Sequence, residues 1–205
     1  TNSTFSGNRA GDDGGGLFVG FAVVTVSHST FASNNAVDDG DSIYNAGGFG
    51  SFAGISHTIT SGTGNAVLVR IIDQGFNDFS ANPRLGPLAA NGGPTFTHAL
   101  TASSPAFNAG DPTFSSPPNF DQRGEARVVD GRIDIGAFEL VLNMAPVVTT
   151  TGSDLSYSEN DGAQAIDDAL TVTDADGGNL VSAVVEISAG FVSAEDSLGF
   201  TDQNG

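Results

Sequence analysis

Apolar and polar positions alternate in short bursts along the first third of the chain. Ala22, Val24 and Val26 alternate with Val23, Thr25 and Ser27, the two-residue period of a strand with one buried face. The bursts recur. Asn2-Ser3-Thr4-Phe5-Ser6-Gly7-Asn8-Arg9-Ala10 matches His28-Ser29-Thr30-Phe31-Ala32-Ser33-Asn34-Asn35-Ala36 at an offset of 26 residues. Gly14-Gly15-Gly16-Leu17-Phe18 keeps the same offset to Gly40-Asp41-Ser42-Ile43-Tyr44, and a weaker third copy opens at Ser56-His57-Thr58-Ile59. A conserved offset across two separate blocks predicts one coil of chain per period. Phe5 and Phe31 would enter the core, one above the other at about 4.8 Å. Asn8 and Asn34 would close turns and stack as a ladder, and His28 and His57 occupy near-equivalent places, which points to structure rather than to catalysis.

These repeats resemble the right-handed parallel β-helix coils of bacterial surface proteins, including the polymorphic outer-membrane proteins. Asp41 and Ser42 depart from that pattern by replacing two glycines. Further along stand Asn82-Pro83-Arg84-Leu85-Gly86-Pro87-Leu88, Asn91-Gly92-Gly93-Pro94-Thr95, His98-Ala99-Leu100, Ser104-Pro105-Ala106 and Asn108-Ala109-Gly110-Asp111. Asp121-Gln122-Arg123-Gly124, Arg127 and Asp130-Gly131-Arg132-Ile133-Asp134-Ile135-Gly136-Ala137-Phe138-Glu139 follow. In this order the blocks look like the choice-of-anchor Q domain that closes a family of bacterial surface β-helices. Phe107 stands where a smaller aliphatic residue is expected.

After residue 140 the composition changes. Residues 149–205 carry close to half of the 24 acidic residues and no arginine, and Leu170, Val172 and then Leu180, Val181, Val184, Val185 and Ile187 suggest strands between acidic turns. Asn143-Met144-Ala145-Pro146-Val147-Val148, Tyr157-Ser158-Glu159-Asn160-Asp161-Gly162, Leu170-Thr171-Val172-Thr173-Asp174-Ala175-Asp176 and Glu195-Asp196-Ser197-Leu198 resemble the cadherin-like or immunoglobulin-like repeats of large adhesins and hemolysin-type calcium-binding proteins. The expected fold is therefore all-β. A right-handed parallel β-helix takes 1–77, a choice-of-anchor Q-like end takes 78–140, and a linker takes 141–148. A partial cadherin-like β-sandwich takes 149–205, too short for seven strands. Both ends read as cuts within a longer protein.

Composition narrows the function. The formal net charge is −18 and there is no lysine, so the chain repels nucleic acid and anionic membranes. Without cysteine it has neither a disulfide nor a thiolate metal site. No run of about 18 apolar residues suits direct membrane insertion. Fifteen Phe, two Tyr and no Trp, spaced by the repeat, read as core rather than as a sugar platform.

Candidate chemistry is sparse. Asp174 and Asp176, two apart in an extended segment, project to one face, and Glu159 could add oxygen ligands. Calcium takes six to eight hard oxygens, and the cadherin resemblance implies Glu159, Asp174 and Asp176 as its metal ligands. The competing reading is a solvated hairpin turn. Asp12-Asp13 and Asp38-Asp39-Gly40-Asp41 repeat at the coil offset and read as solvated turns with a weak pull on cations. Asp121, Arg123, Arg127, Asp130, Arg132 and Asp134 form the mixed-charge cluster, read as ion pairs closing the end of the β-helix rather than as a grip for an acidic sugar.

The expected role is a non-catalytic structural or adhesive segment of a large secreted or cell-surface protein. Its partner would be an extracellular polysaccharide or protein. The alternative is the inactive end of a secreted polysaccharide lyase or glycoside hydrolase whose active coils lie elsewhere. No catalytic residue is assigned, because no elbow, zinc-protease or phosphate-loop motif is present.

Overall fold

The short apolar bursts become strands that pair with their own repeats. In the computed structural model the chain is all-β. The described residues are 1–62, 68–115, 117–129, 131–152, 155–158, 162–174, 180–193 and 195–199, with Leu68 and Val69 described as backbone only. No helix occurs among them. The chain divides into two compact units, Thr1–Leu142 and Asn143–Gly205.

In the first unit one repeat holds β1 (Thr4–Ser6), β2 (Arg9–Ala10), β3 (Leu17–Val19) and β4 (Val23–Ser27). The next holds β5 (Thr30–Ala32), β6 (Asn35–Ala36), β7 (Ile43–Asn45) and β8 (Phe52–Ser56). A third holds β9 (Ile59–Thr60), β10 (Leu68–Val69) and β11 (Ile72–Asp73). Like strands pair in parallel, giving the sheet orders β1-β5-β9, β3-β7-β10 and β4-β8-β11, with β2 on β6. The register sets Phe5 opposite Phe31 and Leu17 opposite Ile43, as the 26-residue offset requires. From β4 to β8 the offset lengthens, because the turn between β7 and β8 is longer than the turn between β3 and β4.

Stacking follows from that register. The Phe5 and Phe31 rings lie 4.4 Å apart and within 5° of parallel. Asn8 Nδ2 donates to Asn34 Oδ1 at 2.9 Å and Asn34 Nδ2 donates to the Phe5 carbonyl, so each turn satisfies the one beside it. Val26, Phe31, Ile43 and Ile55 form one buried cluster, with Phe5, Leu17, Val24 and Ile71 packed against it. Asp38 and Asp39 are exposed, as a solvated turn requires, and Asp41 departs from that reading. It is buried, and its Oδ1 accepts the Ala36 N–H, at the repeat position that Gly15 holds in the first repeat.

A second cluster joins Ile59, Leu100, Ala106, Ile135 and Phe138. It lies on the other side of β9, where residues 99–140 pack. The antiparallel pair β12 (Leu88–Ala89) and β13 (Thr97–His98) is tied to the first repeat by His98, whose Nδ1–H donates to the Gly86 carbonyl while Nε2 accepts from the Ser6 hydroxyl at 2.8 Å.

The second unit is simpler. Among its described residues the strands are β14 (Val147–Thr149) and β15 (Thr171–Thr173), paired antiparallel, with the Thr151 N–H bonded to Asp167. No described side chain there is buried. Leu180, Val181, Val184, Val185 and Ile187, expected in strands, lie outside any strand, and Val181 is 99% exposed. A half-buried strand needs a partner for its backbone and its apolar face, and this segment has neither among the described residues.

Candidate functional site: a buried polar seam and an acidic corner

Three repeats place a left-handed residue at one corner: Asn2 (φ 54°), His28 (φ 49°) and His57 (φ 48°), followed by Phe76 (φ 52°). The imidazoles of His28 and His57 stack at 4.6 Å and within 3° of parallel, Phe76 continues the column, and Phe114 tilts onto both histidines. Both histidines are buried. Neither ring nitrogen of His28 has a hydrogen-bond partner, and His57 Nε2 accepts the Asp111 N–H. Burial, with Arg127 nearby, lowers the His28 pKa to about 3, and burial lowers that of His57.

Residues 119–139 return across this corner. Asn2 Nδ2 donates to the Phe120 carbonyl, and Asn2 Oδ1 accepts from Arg127 Nη2, both at 2.7 Å. Thr4 Oγ1 donates to Gln122 Oε1. The Gly136 N–H meets the His57 carbonyl, and the Ala137 N–H meets Thr30 Oγ1. Gly136 has φ +107°, and a Cβ there would sit 2.7 Å from Ile59 Cδ1 and 2.9 Å from Thr30 Oγ1. Gly136→Ala is therefore expected to cost about 2 kcal/mol, read from the urea midpoint.

The mixed-charge cluster lies inside this seam. Arg127 is 0% exposed, and its Nη1 stands 3.6 Å from Glu139 Oε2. Arg123 pairs with Asp121 at 2.8 Å, lies 3.6 Å over the Phe138 ring and donates to the Glu139 carbonyl. Asp121 Oδ1 accepts the N–H groups of Arg123, Gly124 and Glu125. Asp134 accepts those of Asn108 and Leu140. Glu139, outside the cluster read from the sequence, accepts the Asp134 N–H with both oxygens. Arg132 donates to the Gly110 carbonyl, and Asp130 lies outside the described residues. From the sequence, these pairs are expected to close the end of the coils. They instead reach back to the first and second repeats, through Asn2 and the His28 carbonyl. Asp134 and Glu139 are 0% and 1% exposed, sealed from any solute.

Burial raises the Asp134 pKa to about 6 and, with the Asp134 carboxylate beside it, the Glu139 pKa to about 9. A raised carboxyl contributes stability that is complete below its ordinary value and lost as pH rises through its folded value. These two groups should therefore weaken the fold as pH climbs through 6 and on toward 9. The histidines act with the opposite sign, weakening it as pH falls below 6.5. Urea midpoints between pH 7 and 9 should fall in the wild type and flatten in Glu139→Gln.

The acidic corner is separate. One carboxylate oxygen from each of Asp12, Asp13 and Asp38 lies within 4.8 Å of the others. Asp13 Oδ1 also accepts the Asp39 N–H, and the negative charge of Asp13 raises the pKa of the Tyr44 hydroxyl above its ordinary value. Of the calcium ligands read from the sequence, Asp174 follows β15 and is half-buried, while Glu159 and Asp176 lie outside the described residues.

No family model matches the chain, and no solved structure matches it significantly. Halomucin of Haloquadratum walsbyi (strain DSM 16790 / HBSQ001) is 33% identical over 72 residues, which is 35% of this chain and 1% of the relative. No helix among the described residues is long and apolar enough to cross a membrane.

Proposed function

We propose that residues 1–77 are coils of a right-handed parallel β-helix, closed by a choice-of-anchor Q-like segment, and that the chain is a structural or adhesive piece of a large extracellular or cell-surface protein. The observation that carries this reading is the in-register parallel stack, with Phe5 on Phe31 and the Asn8–Asn34 ladder beside it. Repeats that satisfy one another strand by strand make a stiff rod whose length grows by adding coils. The sealed seam supports mechanical closure, since its titratable groups face backbone donors rather than a cleft. A relative of which this chain covers 1% supports membership in a very long protein, and the net charge of −18 supports a solvated outer surface. Protease shaving of intact cells bearing the tagged full-length protein should release this segment; retention with the cytoplasmic fraction would refute the placement.

Calcium belongs to the same proposal, through Glu159, Asp174 and Asp176. Titration calorimetry of the intact chain with calcium should give binding that Asp174→Asn weakens at least tenfold. Absence of heat with the unsubstituted chain would remove the metal from the account.

A further inference from the structure

A cleft of about 600 Å³ opens in the first unit, within the size range of small-molecule sites. It is lined by the turn between β5 and β6, where Ser33 takes a left-handed φ of 58°, and by the irregular segment 81–87. Asn35 opens β6 with its side chain exposed while Ala36 beside it is buried, so the amide faces away from the core and into the cleft. Neither the Ser33 hydroxyl nor the Asn35 amide has a side-chain hydrogen bond among the described residues. Asn82 comes from the other segment; its Oδ1 accepts the Arg84 N–H, and its Nδ2 is uncommitted among the described residues. Half-buried Leu85 and exposed Pro87 add apolar surface.

Charge narrows the ligand. No lysine or arginine lines the cleft among the described residues, and the acid there, Asp41, is 1% exposed and holds the Ala36 N–H. His98 has both ring nitrogens engaged, by the Gly86 carbonyl and the Ser6 hydroxyl. An anion therefore finds no cationic partner, on a chain whose net charge is −18, and a cation finds one enclosed carboxylate already in use. A purely apolar ligand would strand the amide and hydroxyl groups without water. An uncharged solute with many hydroxyls and a C–H face satisfies both kinds of lining, because amides and hydroxyls each donate and accept.

We propose that this cleft binds a neutral saccharide, its hydroxyls paired with Ser33, Asn35 and Asn82 and its C–H face laid on Leu85 and Pro87. The proposal gives the adhesive reading a ligand class and rests on that reading for its setting. Binding is read on the purified chain, so it holds or fails separately from release by protease shaving. No tryptophan or tyrosine lines the cleft among the described residues, so the dissociation constant is expected at roughly 1–10 mM.

Nitrogen-15 correlation spectra of the full chain test it, titrated separately with maltotriose, mannotriose, N,N′-diacetylchitobiose and, as an acidic counter-probe, trigalacturonate. At least one neutral sugar should move the Asn35 and Asn82 side-chain amide signals along a saturable curve, and trigalacturonate should leave them in place. Asn35→Ala/Asn82→Asp should weaken that binding about tenfold. Asp at 82 keeps the oxygen that holds Arg84 and removes the donor, and both side chains are exposed, so the circular dichroism should be unchanged. Ser33→Gly, which suits the left-handed backbone, should weaken binding about threefold. No saturable shift from any of the three neutral sugars up to roughly 50 mM overturns the proposal. Binding that survives the Asn35 and Asn82 changes overturns the site, and trigalacturonate binding as tightly as the neutral sugars overturns the ligand class.

Discussion

Arg127→Met is expected to lower the unfolding free energy by about 3–5 kcal/mol, the usual cost of breaking a buried pair from one side. The guanidinium is fully enclosed and faces Glu139, with Asp121 and Asp134 adding to the favourable field. It also bonds to Asn2 Oδ1 and to the His28 carbonyl, so its loss removes a positive centre and a tether at once. Arg127→Lys should not rescue it, because an ammonium cannot reach Asn2 and Glu139 with a rigid fork. Arg127→Met/Glu139→Gln should recover a large share of the loss, since the double change leaves no acid without its cation at that pair. Chemical unfolding of the three variants at pH 10, where the Glu139 carboxyl is ionised, reads all of this. Equal loss in the single and double variants would place the effect in packing rather than in charge.

Phe31→Ala should cost about 3–5 kcal/mol, as large-to-small changes in a closed core do. Phe31 is 0% exposed, stacked on Phe5, and so close to the first repeat's backbone that a Cβ on Gly16 would meet its ring at 2.8 Å. Phe5 is only half-buried, at the edge of its sheet, so Phe5→Ala should cost distinctly less. Comparable losses at the two positions would contradict the stack as described.

The repeat was readable because stacking forces like residues to recur. Phe5 and Phe31, Asn8 and Asn34, and His28 and His57 all meet as their offsets imply. The alternation at Val23–Ser27 was readable for the same reason, with Val24 and Val26 inward and Val23 outward. What stayed hidden is the second layer. Alternation shows which residues share a face, but not that another part of the chain covers that face. Ile59 faces such a layer, built from Leu100, Ala106, Ile135 and Phe138. The sequence shows Arg127 only as one of the ion pairs closing the end of the β-helix, because its contacts are with Asn2 and His28, about a hundred residues away in sequence, and no local pattern encodes that return. Gly136 was the available clue, since a glycine between Ile135 and Ala137 has no turn to serve. In the second unit, apolar residues at Leu180–Ile187 suggested strands, yet no strand forms there, because pairing requires a neighbour that hydrophobicity alone does not supply.

The first unit is held together by repeats lying one upon another in register. Nuclear Overhauser spectra of the intact chain, with phenylalanine and histidine rings assigned, test that most directly. Strong cross-peaks between the Phe5 and Phe31 rings and between the His28 and His57 rings are expected, from centroids 4.4 Å and 4.6 Å apart. Assigned rings with no cross-peak between them would contradict it.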